Sequence, residues 1–144
     1  ADLELLCRAF VSEWPKSDRR SRIDLYAAVA AGGLGRTDAA KRSLLQIARS
    51  DTYEDVKADA FFHAAALTKD PAEAIGYLES SVAFPRERSL LEAGRTAHQL
   101  RQLDRAKQHL SRAAGMKGEP KVIAEAKELL VKVQAEFAAR EKQK

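Results

Sequence analysis

Three histidines, one cysteine and a glycine-rich segment are the parts of this 144-residue chain whose residue types could do chemistry. A metal site needs donors at fixed short spacing, such as His-x-x-x-His, because three or four ligands must converge on one ion. His63, His98 and His109 fall in three different helical stretches, and none has a second His or Cys at such a spacing. Cys7 stands alone, which excludes an internal disulfide and fits a small apolar residue on the inner face of a helix. The segment AAGGLGRTD (30–38) is rich in glycine, yet it lacks the Gly-x-x-x-x-Gly-Lys-Ser/Thr spacing of a phosphate loop and follows no strand. Its glycines read as the end of a helix, with a frayed last turn at Gly32 and Gly33. No Ser/His/Asp set, nucleophile elbow or carboxylate pair can be argued from spacing. The sequence therefore assigns no catalytic residue, no metal ligand and no cofactor, and reads as a non-enzyme.

If the chain holds no reagent, its surface must be what it uses, and the elements decide that surface. Hydrophobic residues make up 45% and charged residues 32%, the balance of a folded globular chain. Four Pro, seven Gly and no Asn are too few turn-formers for an all-β protein. No apolar run approaches the ~20 residues that span a bilayer. The opening ADLELLCRAF lacks the basic stretch and unbroken apolar segment of a signal peptide, so a cytoplasmic location is expected.

Helical periodicity fills everything between the breaks. Asp2 is placed to cap a first helix whose inner face is Leu3, Leu6, Phe10 and Trp14. A second helix covers about 22–34 and ends at Gly35, and a third starts at Thr37 or Asp38. Thr52 and Asp55 have capping-box spacing before a fourth. Asp70-Pro71 reads as the N-cap and first residue of a fifth, which Pro85 ends. A sixth spans about 86–101, Asp104 caps a seventh, and a long last helix covers about 120–142. Eight helices and no strand signal make the fold all-α.

The segments GRTDAAKRSLLQIARSD (35–51) and KDPAEAIGYLESSVAFP (69–85) say nearly the same thing thirty-four residues apart. Ala40, Ala74 and Ala106 are each followed four residues later by Leu44, Leu78 and Leu110. Ala28, Phe62 and Gly94 precede them by twelve residues, and the small residues Ala31, Ala65 and Ala97 follow those by three. In this the chain resembles the tetratricopeptide repeat (TPR) family, whose unit is a 34-residue helix–turn–helix. Gly94-x-x-Ala97 is similar to the family's Gly-x-x-Tyr, Ala-x-x-x-Leu replaces Ala-x-x-x-Phe, and Pro85 and Pro120 lie near its closing Pro. The leading Trp, the Tyr of the first helix and Gly at two of three middle positions depart from the pattern. The resemblance implies a single domain over 1–144, a right-handed α-solenoid of stacked hairpins. Its parts would be a leading helix (1–16), repeats at 20–51, 52–85 and 86–118, and a capping helix (119–144). Leu6 falls one period before Ala40, which makes the first helix an echo of a second-helix position.

Family geometry also implies a concave groove lined by the first helix of each hairpin. That places Arg22, Leu25 and Val29 there from the first unit, Asp59 and His63 from the second, and Arg88, Leu91, Arg95 and His98 from the third. Leu25, Val29 and Leu91 are expected to give apolar contact, Arg88 and Arg95 to hold carboxylates, and Asp59 to meet a base. Chaperone-tail clamps of this family use paired Asn, and this chain has none.

Charge is segregated along the chain. Residues 1–50 carry a net +3, residues 51–85 a net −5, residues 86–116 a net +4 and the remainder +2. The expectation is a scaffold or assembly module that binds a protein or peptide, with an acidic or C-terminal segment or a second copy of the chain among the candidate partners. RNA binding by a helical repeat is the alternative, suggested by a pI of about 9.3. The acidic middle and the lack of aromatic residues among the groove candidates argue against nucleic acid. An accessory or sensor role in a larger protein is a third reading.

Overall fold

In a computed structural model the described residues are 2–16, 19–51 and 53–142, and the side chain of Glu4 is left aside. They form eight helices and no strand: α1 (Asp2–Glu13), α2 (Arg20–Gly33), α3 (Thr37–Ser50), α4 (Glu54–Ala66), α5 (Pro71–Ser81), α6 (Glu87–Gln99), α7 (Leu103–Ala114) and α8 (Pro120–Glu141). The packing divides them into two compact units, Ala1–Lys69 and Asp70–Lys144. That division falls inside the segment read as the second repeat, between its two helices.

Local chemistry explains several helix ends. Asp70 caps α5 by accepting the Ala72 N–H at 3.0 Å, and Pro71 fills the first helical position, where no donor is missed. At the end of α2 the chain turns back through Gly35 at φ +83°, a left-handed conformation that glycine adopts without a Cβ clash. There Gly35 N–H donates to the Gly32 carbonyl at 3.0 Å and Arg36 N–H to the Ala31 carbonyl at 3.1 Å, the two bonds of a Schellman cap. The same pair closes α6, from Arg101 N–H to the His98 carbonyl and from Gln102 N–H to the Ala97 carbonyl, both at 2.9 Å. Here the left-handed residue is Arg101, at φ 58°.

Other expected ends differ. Asp104 does not cap α7, because the chain re-enters helix at Leu103 and puts Gln102 at the N-cap; Asp104 sits in the first turn, where the helix dipole favours an acid. Asp2 is the first residue of α1 rather than a residue ahead of it. Thr52 lies outside the described residues, and α4 starts at Glu54 with no side-chain cap from Tyr53.

In the first unit α2 packs on α1 and α3, α3 packs on α4, and α4 also reaches α2. Its core is built on Leu25, Leu44 and Val56, with Ala40 and Ala48 buried beside them. Gly32 is a close approach rather than a frayed turn, since a Cβ there would meet Leu67 Cδ1 at 3.1 Å; Gly33 has open space. In the second unit α5 packs on α6, α6 on α7, and α8 lies against both α6 and α7. Leu78, Leu90, Leu110, Ala126 and Val133 form that core. Ala74 and Ala106, the counterparts of Ala40, are buried as the repeat pattern requires of close helix crossings.

The expected inner face of α1 is corrected. Among its described side chains only Cys7 is buried, while Leu3, Leu6 and Trp14 are 53, 67 and 51% exposed. α1 has one principal neighbour, α2, and turns a narrow edge toward it, so Cys7 rather than Leu6 takes the buried place. Among the described residues no helix is long and apolar enough to cross a membrane.

Candidate protein-interaction surface

The nine residues expected to line one groove separate into three environments. Leu25 and Leu91 are core residues, 1 and 4% exposed, and offer nothing to a partner. Leu25 sits one helical position before Tyr26, which faces out, and Leu91 lies beside the equally buried Leu90. Val29 and Asp59 are half-buried. His63 is half-buried with its ring edge-on to Phe62, centroids 5.4 Å apart. Burial holds the His63 imidazole below its usual pKa, against the opposing pull of Asp59.

The basic residues are accessible but already engaged inside the chain. Arg22 on α2 pairs with Asp55 on α4. In the second unit α6 and α8 are joined by a ladder of such pairs. Arg88 donates from Nε at 3.1 Å, and from its guanidinium tip, to the Glu119 carboxylate. Arg95 reaches Glu92 and, at 2.9 Å, Glu125. His98 Nε2 and Arg101 share Glu136, at 2.9 and 3.0 Å. The His98 hydrogen bond, then the nearby positive charge, holds the Glu136 carboxyl below the usual range. The expected carboxylate clamp of Arg88 and Arg95 is thus filled by the chain's own acids. A partner's carboxylate would have to compete with Glu119 and Glu125, which are tethered a short distance away.

Glu87 adds a fixed point at the start of α8. Its carboxylate accepts the Glu119 N–H at 3.2 Å, and backbone donors keep it ionised below the usual range. Gly118 makes room for it, since a Cβ there would lie 2.5 Å from the Glu87 carboxyl carbon.

A concave surface in the first unit includes residues that the groove assignment missed. A 540 Å³ groove is lined by Arg19, Arg22, Ile23, Tyr26, Tyr53, Asp55 and Val56. Tyr26 and Tyr53 are 45 and 49% exposed. Ile23 and Tyr26 also line a 400 Å³ groove against Leu3, Leu6 and Phe10 of α1 and Trp14 just after it, so one apolar surface runs across both. Phe10 and Trp14 hold each other at 5.1 Å between centroids. The signal for Tyr26 is in the sequence: it stands four residues after Arg22, on the same helix face. Rings with apolar faces and hydroxyl tips beside an exchangeable ion pair are suited to gripping a peptide, since they bury large area with few rotamers to freeze. Among the described residues no group of His, Cys, Asp and Glu is arranged to hold a metal ion.

Compared with protein-family models, with curated proteins and with solved structures, the chain matches none.

Proposed function

We propose that this chain is a non-catalytic protein-interaction module, a tetratricopeptide-like right-handed α-solenoid that takes a peptide or an exposed segment of a partner protein. Two features support the solenoid. In each unit a third helix leans on both members of the preceding hairpin, α4 on α2 and α3, and α8 on α6 and α7. Small residues stand at the repeat positions where helices cross. The observation that carries the binding role is the Tyr26–Tyr53 groove, lined by these two rings and by Ile23 and Val56 beside the Arg22–Asp55 pair. Apolar side chains of a peptide would pack on the two rings, and its charged groups would exchange with that surface pair at little cost.

The test selects binding peptides from a random display library and measures one of them against the parent chain and Tyr26→Ala/Tyr53→Ala. Loss of about tenfold or more in affinity, with an unchanged circular dichroism spectrum, is expected. Equal binding by the double variant overturns the groove assignment. Tight capture of random-sequence RNA with steep salt dependence, lost in the same variant, favours a nucleic-acid role in which the tyrosines stack bases.

A further inference from the structure

We propose that copies of this chain associate head to tail, the outward face of α8 of one copy seating on the apolar stripe of α1 of the next. The first observation is shape. α1 presents bulky side chains at three- and four-residue steps, Leu3, Leu6 and Phe10, with Trp14 beyond its end, and all line one groove with Ile23 and Tyr26. α8 buries Val122, Ala126 and Val133 against its own unit and turns Ala124, Val131, Ala135 and Ala138 outward. That outward row has the same three- and four-residue spacing, built from small residues around a Val131 that is 66% exposed. Bulky knobs on one helix and shallow holes on the other are the two halves of a helix–helix contact.

The second observation is charge. In sequence α1 holds three acids and one base, and the exposed Asp2 and Glu13 flank its stripe on one side. α8 holds equal numbers of each sign, but Glu125 and Glu136 are drawn to the bases of α6. What remains along its outward row is Lys127 on one flank and Lys121 and Lys132 on the other, with Glu128 beside them, paired to Lys132 at 3.2 Å; all four are exposed, and the row keeps a net positive charge. The ladder inside the second unit therefore leaves α8 basic where α1 is acidic. Because the two faces differ, the contact is heterologous, and each added copy presents the face that the next one takes.

The experiment follows sedimentation velocity and the emission of Trp14, the single tryptophan, as the full chain is concentrated. Growth of larger species together with a blue shift of Trp14 is expected, weakening with salt as screened charges require. Leu6→Asp and Val131→Asp alter exposed positions, and circular dichroism will show that both variants fold. Each alone is expected to remain monomeric where the parent associates. Mixed, they are expected to form a 1:1 complex that grows no further, because each keeps the face the other has lost. Association of Val131→Asp by itself would overturn the proposal in favour of an α1–α1 pair. A parent chain that stays monomeric at every concentration would overturn it outright, leaving the α1 stripe to a different partner.

Discussion

Gly94 of α6 lies where Leu110 of α7 crosses it, so closely that a Cβ on Gly94 would sit 2.5 Å from Leu110 Cγ and 3.4 Å from the Leu110 backbone nitrogen. Glycine in a helix interior forgoes about 1 kcal/mol relative to alanine, so its presence here reports the crossing rather than the helix. Gly94→Ala gains that propensity and loses more by overpacking, for a net destabilisation of about 1–2 kcal/mol in chemical denaturation. Gly76→Ala is the control. It is an exposed helical position with nothing within 4 Å of the added methyl, and the substitution is expected to stabilise.

Arg101 and Gly35 occupy the same place in two identical caps, and only one of them is glycine. Arg101→Gly removes the left-handed penalty of a residue that carries a Cβ, which is about 1 kcal/mol. It also gives up an exposed contact to Glu136, which contributes little. A higher melting temperature is expected. An unchanged or lower one would mean that the Arg101–Glu136 pair matters more than the cap.

His109 is 7% exposed, its Nδ1 has no hydrogen-bond partner and its Nε2 stands 3.9 Å from Glu79. Burial lowers its pKa below 6.5; Glu79 opposes that shift, while Arg112 and Arg105 add to it. A folded-state pKa below the unfolded one means that the unfolded chain takes up the proton more readily. Stability is then complete above about pH 6.5 and declines as the pH falls below it. His63 acts in the same direction. Melting temperatures measured between about pH 7.5 and about pH 5.5 should fall, and His109→Gln should flatten part of that slope. A parallel slope in the variant would assign the effect to His63.

Arg88→Glu/Arg95→Glu sets acids against Glu119 and Glu125. A small fall in melting temperature is expected at low salt, shrinking as salt is raised, because both arginines are exposed. Adding Glu119→Arg and Glu125→Arg should restore the parent value. A double variant as stable as the parent at low salt would show that the ladder contributes nothing to seating α8.

What could be read from the sequence was what local chemistry or a repeated spacing dictates. Asp70-Pro71 announces its helix because a cap and a missing donor act within three residues. The Ala40, Ala74 and Ala106 pattern marks close crossings because each repeat must solve the same packing problem. The groove was harder to read for a geometric reason. One residue of helical phase is a turn of about 100°, so choosing Leu25 over Tyr26 exchanges the core for the surface. Glu92 stands three residues from Arg95 and could be read locally, but Glu119 and Glu125, which tie Arg88 and Arg95 to the start of α8, come some thirty residues later, and nothing in the local spacing points to them. The stripe of α1 has the periodicity of a buried face, yet periodicity shows only that a face exists. Whether a neighbour covers it depends on the rest of the assembly.

The buried side chains of α8 end at Val133, while the helix itself runs on to Glu141. Its free energy of opening is therefore graded along its length. The last turn, residues 138–141, is exposed and can unwind without uncovering any core. To unwind further, the chain must withdraw the half-buried Phe137 from Lys107, release Glu136 from His98 and Arg101, then lift Val133, and finally withdraw Ala126 and Val122. Amide hydrogens are thus expected to exchange in order from Glu141 back toward Pro120, each step slower than the one before. A binding partner that touched only the end of this helix could capture the loosened turns without disturbing the unit on which the helix rests.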